Sequence, residues 1–139
     1  MGVSYGEAAL RHWEDAAFLS GDGRAHNADQ LYGLAAECAL KRAMTALGAS
    51  TESDGTIEKR YRAHIDKLWS EYLAFASGRR GARYTSLLGK FTHNPFSDWS
   101  IDQRYASAEP HLSGSTCETH KRAAGACLAV LRRVQEDVS

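Results

Sequence analysis

Apolar side chains recur every three or four residues along most of the chain, which is the spacing of one face of an α-helix. No run of residues alternates between apolar and polar positions as a half-buried strand does. The pattern predicts one or two short helical turns at residues 84–91, and long helices over residues 4–19, 26–47, 57–76 and a final stretch capped by Ser115 or Thr116. The sequence therefore predicts an all-α, up-and-down bundle of four long helices plus a short helix.

The same periodicity predicts which side chains form the core. The expected apolar stripes are Leu10, Trp13 and Ala17 on the first helix, Ile57, Tyr61, Ile65, Leu68, Tyr72 and Phe75 on the third, and Ala124, Cys127, Leu128, Leu131, Val134 and Val138 on the last. A chain of 139 residues is long enough to bury one such core. A single domain over residues 1–139 is expected.

The second helix is apolar nearly all round, which predicts a central position in the bundle. Asn27 is its expected N-cap, with Gln30 completing a capping box. A narrow polar line runs along it through Gln30, Gly33, Glu37 and Lys41. Because a buried unpaired charge is costly, Gln30, Glu37 and Lys41 are expected to face solvent, a second chain or a ligand. Gly33 costs about 1 kcal/mol relative to Ala in a helix, so a large side chain or a neighbouring backbone is expected to pack there.

Composition narrows the class of protein without naming a ligand. Seventeen basic residues balance seventeen acidic ones, so overall charge favours no nucleic-acid partner by itself. The three Cys contain no CxxC pair, and the six His contain no H-x3-H or HExxH motif. We therefore expect no metal site and no cofactor. No apolar run reaches the length of a membrane span and no signal peptide is evident, which favours a reduced, cytoplasmic protein.

Three histidines, His12, His26 and His120, are expected at the surface, and His64 at the edge of the core. The basic segment at residues 79–83 is the best candidate for phosphate contact. Its arginines with a neighbouring aromatic ring suit single-stranded RNA, by charge and by base stacking. The candidate residues are Arg79, Arg80, Arg83 and Tyr84. A solvated basic loop is the open alternative.

The least regular stretch of the chain precedes the last helix, and Phe96, Trp99 and Tyr105 are its expected anchors. It also carries Arg104 and His111, with six residues between them. Pro110 disfavours helix in the residue before it, so the two side chains are not expected to share one helical face.

The first half of the chain resembles the N-terminal half of HEPN domains. The first helix is similar to the pattern A-x5-D-A-x2-L at Ala9, Asp15, Ala16 and Leu19, and the second to N-A-x2-L-x-G-x-A-A-E-C-A-L-K from Asn27 to Lys41. The stretch YRAHIDKLW (61–69) looks like the family's H-D-L-x2-L-W, and WSIDQRYA (99–106) like the W-x4-R-Y before the last helix of one branch.

The resemblance implies two different functions. Many HEPN proteins are dimeric, metal-independent ribonucleases whose Arg-x4–6-His motifs meet at the dimer interface. In them His moves protons and Arg stabilises charge on the phosphate. Arg104 and His111 would be the catalytic pair here. Other HEPN proteins bind nucleotides or partners, often beside a nucleotidyltransferase.

Two departures from the nuclease motif bear on the choice between these functions. Tyr105 follows Arg104 where the family usually has a polar residue, and Pro110 precedes His111. They favour a homodimeric HEPN-like module that binds RNA, a nucleotide or a partner such as a nucleotidyltransferase, in a toxin–antitoxin or defence-type system. The alternative function is an endoribonuclease that uses Arg104 and His111. If the two residues have no function, Arg104 is expected to make a structural ion pair.

Overall fold

A computed structural model of the chain describes residues 2–79, 81–107 and 113–138. Its α-helices are α1 (Tyr5–Gly21), α2 (Ala25–Ala46), α3 (Ile65–Ser77) and α4 (Gly114–Val138). Its short 3₁₀ helices are Lys59–Tyr61, Gly81–Tyr84, Ser86–Leu88 and Ile101–Tyr105. Within these ranges an isolated bridge between Thr51 and Ile57 is the only extended pairing. The all-α prediction is confirmed, as are the short turns expected at residues 84–91.

α2 lies at the centre and packs against α1, α3 and α4. Five of its thirteen buried residues are alanine, and these small side chains let neighbouring helices approach closely on several sides. α1 runs antiparallel to α2, because Gly6 lies beside Arg42 and Trp13 beside Tyr32. α4 runs in the same direction as α2, since the starts of the two helices meet at the polar cluster described below.

The buried face of α1 differs from the predicted one. Ala9 and Ala16 are fully buried and Trp13 is partly buried, whereas Leu10 and Ala17 are exposed. The close contact with α2 requires small residues at its centre, so the larger Leu10 lies outside it. Helical periodicity alone did not distinguish the stripe of Ala9, Trp13 and Ala16 from the neighbouring stripe of Leu10, Trp13 and Ala17.

α3 begins at Ile65, eight residues later than predicted. Ile57 pairs with Thr51 in the isolated bridge, and the backbone N–H of Ile57 donates to the Tyr5 hydroxyl at 3.0 Å. The 3₁₀ helix Lys59–Tyr61 then follows. Ile57 and Tyr61 are buried as predicted, because the bridge and the turn direct both side chains to the core that α3 also faces.

Both predicted helix caps are wrong. α2 begins without a side-chain cap, and the Gln30 amide donates instead to the Ile101 carbonyl oxygen at 3.4 Å. At α4 the Ser113 hydroxyl accepts from the backbone N–H of Thr116 at 3.1 Å, so Ser113 takes the place assigned to Ser115 or Thr116. Val138, the last predicted member of the α4 stripe, is exposed.

Candidate nucleic-acid interface

A buried histidine between two carboxylates joins α2, α4 and the irregular segment before α4. His120 Nδ1 lies 2.6 Å from Asp29 Oδ1, and its Nε2 lies 2.7 Å from Asp98 Oδ1. Asp29 and His120 are at most 1% exposed, whereas the Asp98 side chain is 58% exposed. The ring therefore links a fully buried carboxylate to one at the surface.

Both ring nitrogens of His120 face a carboxylate oxygen, so both must carry a proton to donate. That condition is met only by the imidazolium cation. Burial by itself lowers the pKa of His120, but the hydrogen bonds and charges of Asp29 and Asp98 outweigh it and raise the pKa above 6.5. The geometry and the raised pKa both indicate that the His120 side chain is a buried cation.

The prediction of a surface position for His120 is wrong. The side chain lies on the apolar face of α4, at helical spacing from Ala124 and Cys127, and that spacing was visible in the sequence. His12 is half-buried rather than exposed; burial, followed by the charge of Arg11, lowers its pKa. His26 is exposed as predicted.

The segment that carries Asp98 is held by aromatic packing as well as charge; we call residues 94–105 the anchored segment. Phe96 stacks on the His120 ring with centroids 5.3 Å apart. The Trp99 indole lies against Gly33, where an added Cβ would come within 2.2 Å of its ring nitrogen. Trp99 Nε1 also donates to the Asp29 carbonyl oxygen at 3.2 Å. The predictions that Phe96 and Trp99 are anchors and that a large side chain packs on Gly33 are confirmed.

Polar contacts fix the last turn of the anchored segment. The 3₁₀ helix Ile101–Tyr105 begins with a capping box between Ser100 and Gln103. The Gln103 amide also donates to Asp29 Oδ2 at 2.9 Å, so Asp29 contacts both His120 and this helix. Together with the bond from Gln30 to the Ile101 carbonyl, these contacts attach the 3₁₀ helix to α2.

Arg104 and Tyr105 project from the end of this 3₁₀ helix into solvent. Tyr105 is 75% exposed, so its predicted role as an anchor is wrong. The Arg104 guanidinium carbon lies 4.6 Å from the centroid of the Tyr105 ring. Within the described ranges no carboxylate or carbonyl oxygen pairs with Arg104. His111, the other half of the predicted catalytic pair, lies outside the described residues.

Arg79 and Arg83 of the basic segment make contacts within the chain. Arg79 donates to the Phe75 carbonyl oxygen at 2.9 Å and lies over the Phe75 ring. Arg83 makes two hydrogen bonds to Asp137 on α4, and the Tyr84 hydroxyl donates to the same carboxylate at 2.8 Å.

Tyr84 is buried, so no base can stack on its ring, and this part of the prediction for the basic segment is wrong. Arg80 lies outside the described residues.

The polar line of α2 finds its partners within the chain. Lys41 Nζ lies 2.9 Å from Glu37 Oε2, and His64 Nδ1 lies 3.0 Å from Glu37 Oε1. Glu37 and Lys41 are buried, while the His64 side chain is half exposed, as expected for the edge of the core. Glu37 and Lys41 are therefore paired within the chain, whereas Gln30 donates to the Ile101 carbonyl oxygen but its own Oε1 is buried without a hydrogen-bond partner among the described residues.

A surface pocket of about 370 Å³ opens between the start of α3 and the start of the 3₁₀ helix Ile101–Tyr105. Its polar lining residues include Arg62, His64, Lys67, Ser100 and Asp102. With His64 Nδ1 directed at Glu37, the Nε2 atom is the ring nitrogen left to face outward. The pocket and the Arg104–Tyr105 pair lie at opposite ends of the same short helix.

The thiols do not supply a nucleophile near neutral pH. Burial raises the pKa of Cys38 to about 11 and that of Cys117 to about 12, and it also raises the pKa of Cys127. Among the described residues, no group of three or more His, Cys, Asp or Glu side chains is arranged to hold a metal ion.

Comparison of the chain with protein-family models, curated proteins and solved structures finds no match. The resemblance to HEPN domains therefore stays a prediction that rests on the sequence motifs. In the described part of the chain, none of the helices has the length and hydropathy needed to cross a membrane.

Proposed function

We propose that this chain is an HEPN-like binding module that holds single-stranded RNA through Arg104 and Tyr105. The observation that carries the proposal is the exposed pair of a cation and an aromatic ring at the end of an anchored 3₁₀ helix. A base can stack on an exposed aromatic ring, and a guanidinium group can contact the adjoining phosphate. Stacking on Tyr105 is expected to tolerate any base, because every base has a face that suits the ring.

The anchoring of the segment supports this choice over the basic segment at residues 79–83. A segment whose backbone is already held in place loses less conformational freedom on binding, which favours affinity. Arg104 and Tyr105 follow directly after Gln103, whose side chain is bonded to buried Asp29. Arg83, by contrast, would have to break its contacts with Asp137 before it could bind a phosphate.

The pocket at the other end of the 3₁₀ helix extends the proposed surface. Lys67 and His64 line it and are exposed to solvent. A strand stacked on Tyr105 would pass this pocket if it followed the helix axis. The homodimer, the nucleotidyltransferase partner and a toxin–antitoxin or defence role belong to the same proposal, and they rest on the family resemblance alone.

Replacing both exposed side chains tests the proposal. We expect the Arg104→Ala, Tyr105→Ala double variant to bind a labelled single-stranded RNA of about twelve nucleotides at least tenfold more weakly than the wild type, because one stacked base alone is worth about 1–3 kcal/mol. Fluorescence anisotropy at one fixed salt concentration measures the difference.

The matched control replaces Arg11 and Phe18 by Ala on the outward face of α1. Phe18 is 75% exposed, the same as Tyr105, and Arg11 is also exposed. This control is expected to bind RNA like the wild type. Equal losses in both double variants would show that RNA contacts exposed arginines and rings without selecting the anchored segment.

The alternative endoribonuclease is separated from the binding module by the same samples. After incubation in EDTA, RNA bound by the wild type is expected to run intact on a denaturing gel. Cleavage that disappears in an Arg104→Ala, His111→Ala variant would establish the nuclease instead.

A further inference from the structure

The hydrogen bonds of His120 connect the proposed RNA surface to the protonation state of this one buried ring. The ring donates to Asp29 on α2 through Nδ1 and to Asp98 on the anchored segment through Nε2. Asp98 lies two residues before Ser100, whose hydroxyl caps the 3₁₀ helix Ile101–Tyr105. The bond to Asp98 is therefore one of the contacts that hold the chain just before the helix that presents Arg104 and Tyr105.

We propose that the RNA affinity of the anchored segment is regulated by the protonation of His120, so that alkaline pH weakens binding. This inference rests on the proposed RNA-binding function and names a regulation of that same surface.

Loss of one proton to solvent breaks the link at Asp98 in preference to the link at Asp29. A neutral imidazole donates from one nitrogen only. Asp29 is fully buried, where an unpaired carboxylate is most costly, so the remaining N–H stays on Nδ1. The lone pair of Nε2 then faces the Asp98 carboxylate at 2.7 Å, and the mostly exposed Asp98 can turn to water.

Among the residues that the structure describes, few other titratable groups surround the ring. Besides Asp29 and Asp98, Cys117 lies one turn earlier on α4 and faces Asp29. Burial keeps the Cys117 thiol uncharged, with its pKa raised to about 12. Phe96 covers one face of the ring and carries no charge. His120 is therefore the group around this cluster that is expected to change charge as pH rises past neutrality.

The test measures RNA affinity by anisotropy across the titration of His120, which is followed by NMR of the isotopically labelled ring. The wild type is expected to bind about tenfold more weakly when His120 is fully neutral than when it is fully protonated. By linkage, saturating RNA is expected to raise the midpoint of the His120 titration by about one unit. A pH-independent affinity, or an unchanged midpoint, would overturn the proposal.

The matched variant is Asp98→Asn, at an exposed position. The amide N–H of the new side chain can donate to Nε2 of neutral His120, so the link persists without the cation. Its affinity is expected to stay constant through the same pH range, with circular dichroism confirming the fold. An equal pH-dependent loss in Asp98→Asn would place the effect elsewhere and would also overturn the proposal.

The two proposals fail in different ways. If the RNA does not bind at any pH, the proposed function is wrong and this regulation with it. If RNA binds through Arg104 and Tyr105 with an affinity that does not follow His120, the function stands and only the regulation is wrong.

Discussion

Replacing His120 by Ala is expected to lower the free energy of unfolding by about 3–5 kcal/mol at mildly acidic pH. The change removes the cation between Asp29 and Asp98 and leaves the Asp29 carboxylate buried with two uncharged side-chain partners in the described part of the chain, Gln103 and Cys117. It also removes the ring on which Phe96 stacks. Urea unfolding followed by tryptophan fluorescence measures the loss.

The loss is expected to depend on pH in a defined direction. The folded chain raises the pKa of His120 above the ordinary value of 6.5. The stabilisation is therefore fully present below that value and is lost as pH rises through the folded pKa. The difference between wild type and His120→Ala should shrink at alkaline pH; a difference that grows there would contradict the buried cation.

His64→Ala is the matched control for this prediction. It removes an imidazole that also contacts a carboxylate, Glu37, at 3.0 Å, but the His64 side chain is half exposed and Glu37 keeps Lys41. Solvent screens such a contact, so the expected loss is about 1 kcal/mol or less. Equal losses for the two histidines would argue against a special role for the His120 cluster.

Trp99→Ala is expected to cost about 3–5 kcal/mol, because it opens a cavity beneath the anchored segment. The indole is 1% exposed and fills the space that the missing side chain of Gly33 leaves on α2. The substitution also removes the N–H group that donates to the Asp29 carbonyl oxygen. Chemical denaturation gives the magnitude, and the RNA affinity of the variant reports whether the surface is still presented.

A second substitution shows whether the contact between Trp99 and Gly33 accounts for this loss. In the wild type, Gly33→Ala places a Cβ 2.1 Å from the nearest indole atom, which is a steric overlap, and it is expected to destabilise by about 1–3 kcal/mol. In the Trp99→Ala background the same change meets no ring and should stabilise by up to about 1 kcal/mol through helix propensity. The opposite signs form a double-mutant cycle, and effects of the same sign in both backgrounds would refute the contact.

Local patterns were sufficient to predict the helices but not all of their ends. The 3.6-residue periodicity predicted α1, α2 and α4 within a few residues, because α1 and α4 each bury one face along their length and α2 is buried on several sides. It placed the start of α3 eight residues early, since a bridge and a 3₁₀ turn put Ile57 and Tyr61 at positions that imitate a helical stripe. Gln30 was mistaken for a capping residue because its partner, Ile101, lies 71 residues away.

The candidate site was also predictable only in part, because some of its contacts join residues that are far apart in the sequence. The aromatic residues in an irregular stretch indicated that Phe96 and Trp99 are buried, and the mid-helix Gly33 indicated that something large packs there. The cluster of His120 with Asp29 and Asp98 has no local signature, because Asp29 is 91 residues from His120 along the chain. Tyr84 is buried and Tyr105 is exposed, which is the reverse of what was expected, because burial of a single ring in a loop depends on distant neighbours.

The most direct test of the proposed function is to locate RNA on the folded chain by NMR. Single-stranded RNA is titrated into ¹⁵N-labelled protein at neutral pH, and the backbone amide shifts are followed to saturation. We predict that the largest changes fall within the anchored segment, around Arg104 and Tyr105, while residues 79–83 and the outward face of α1 change little. Changes concentrated in residues 79–83, or no changes at saturating RNA, would contradict the assignment of RNA binding to the anchored segment.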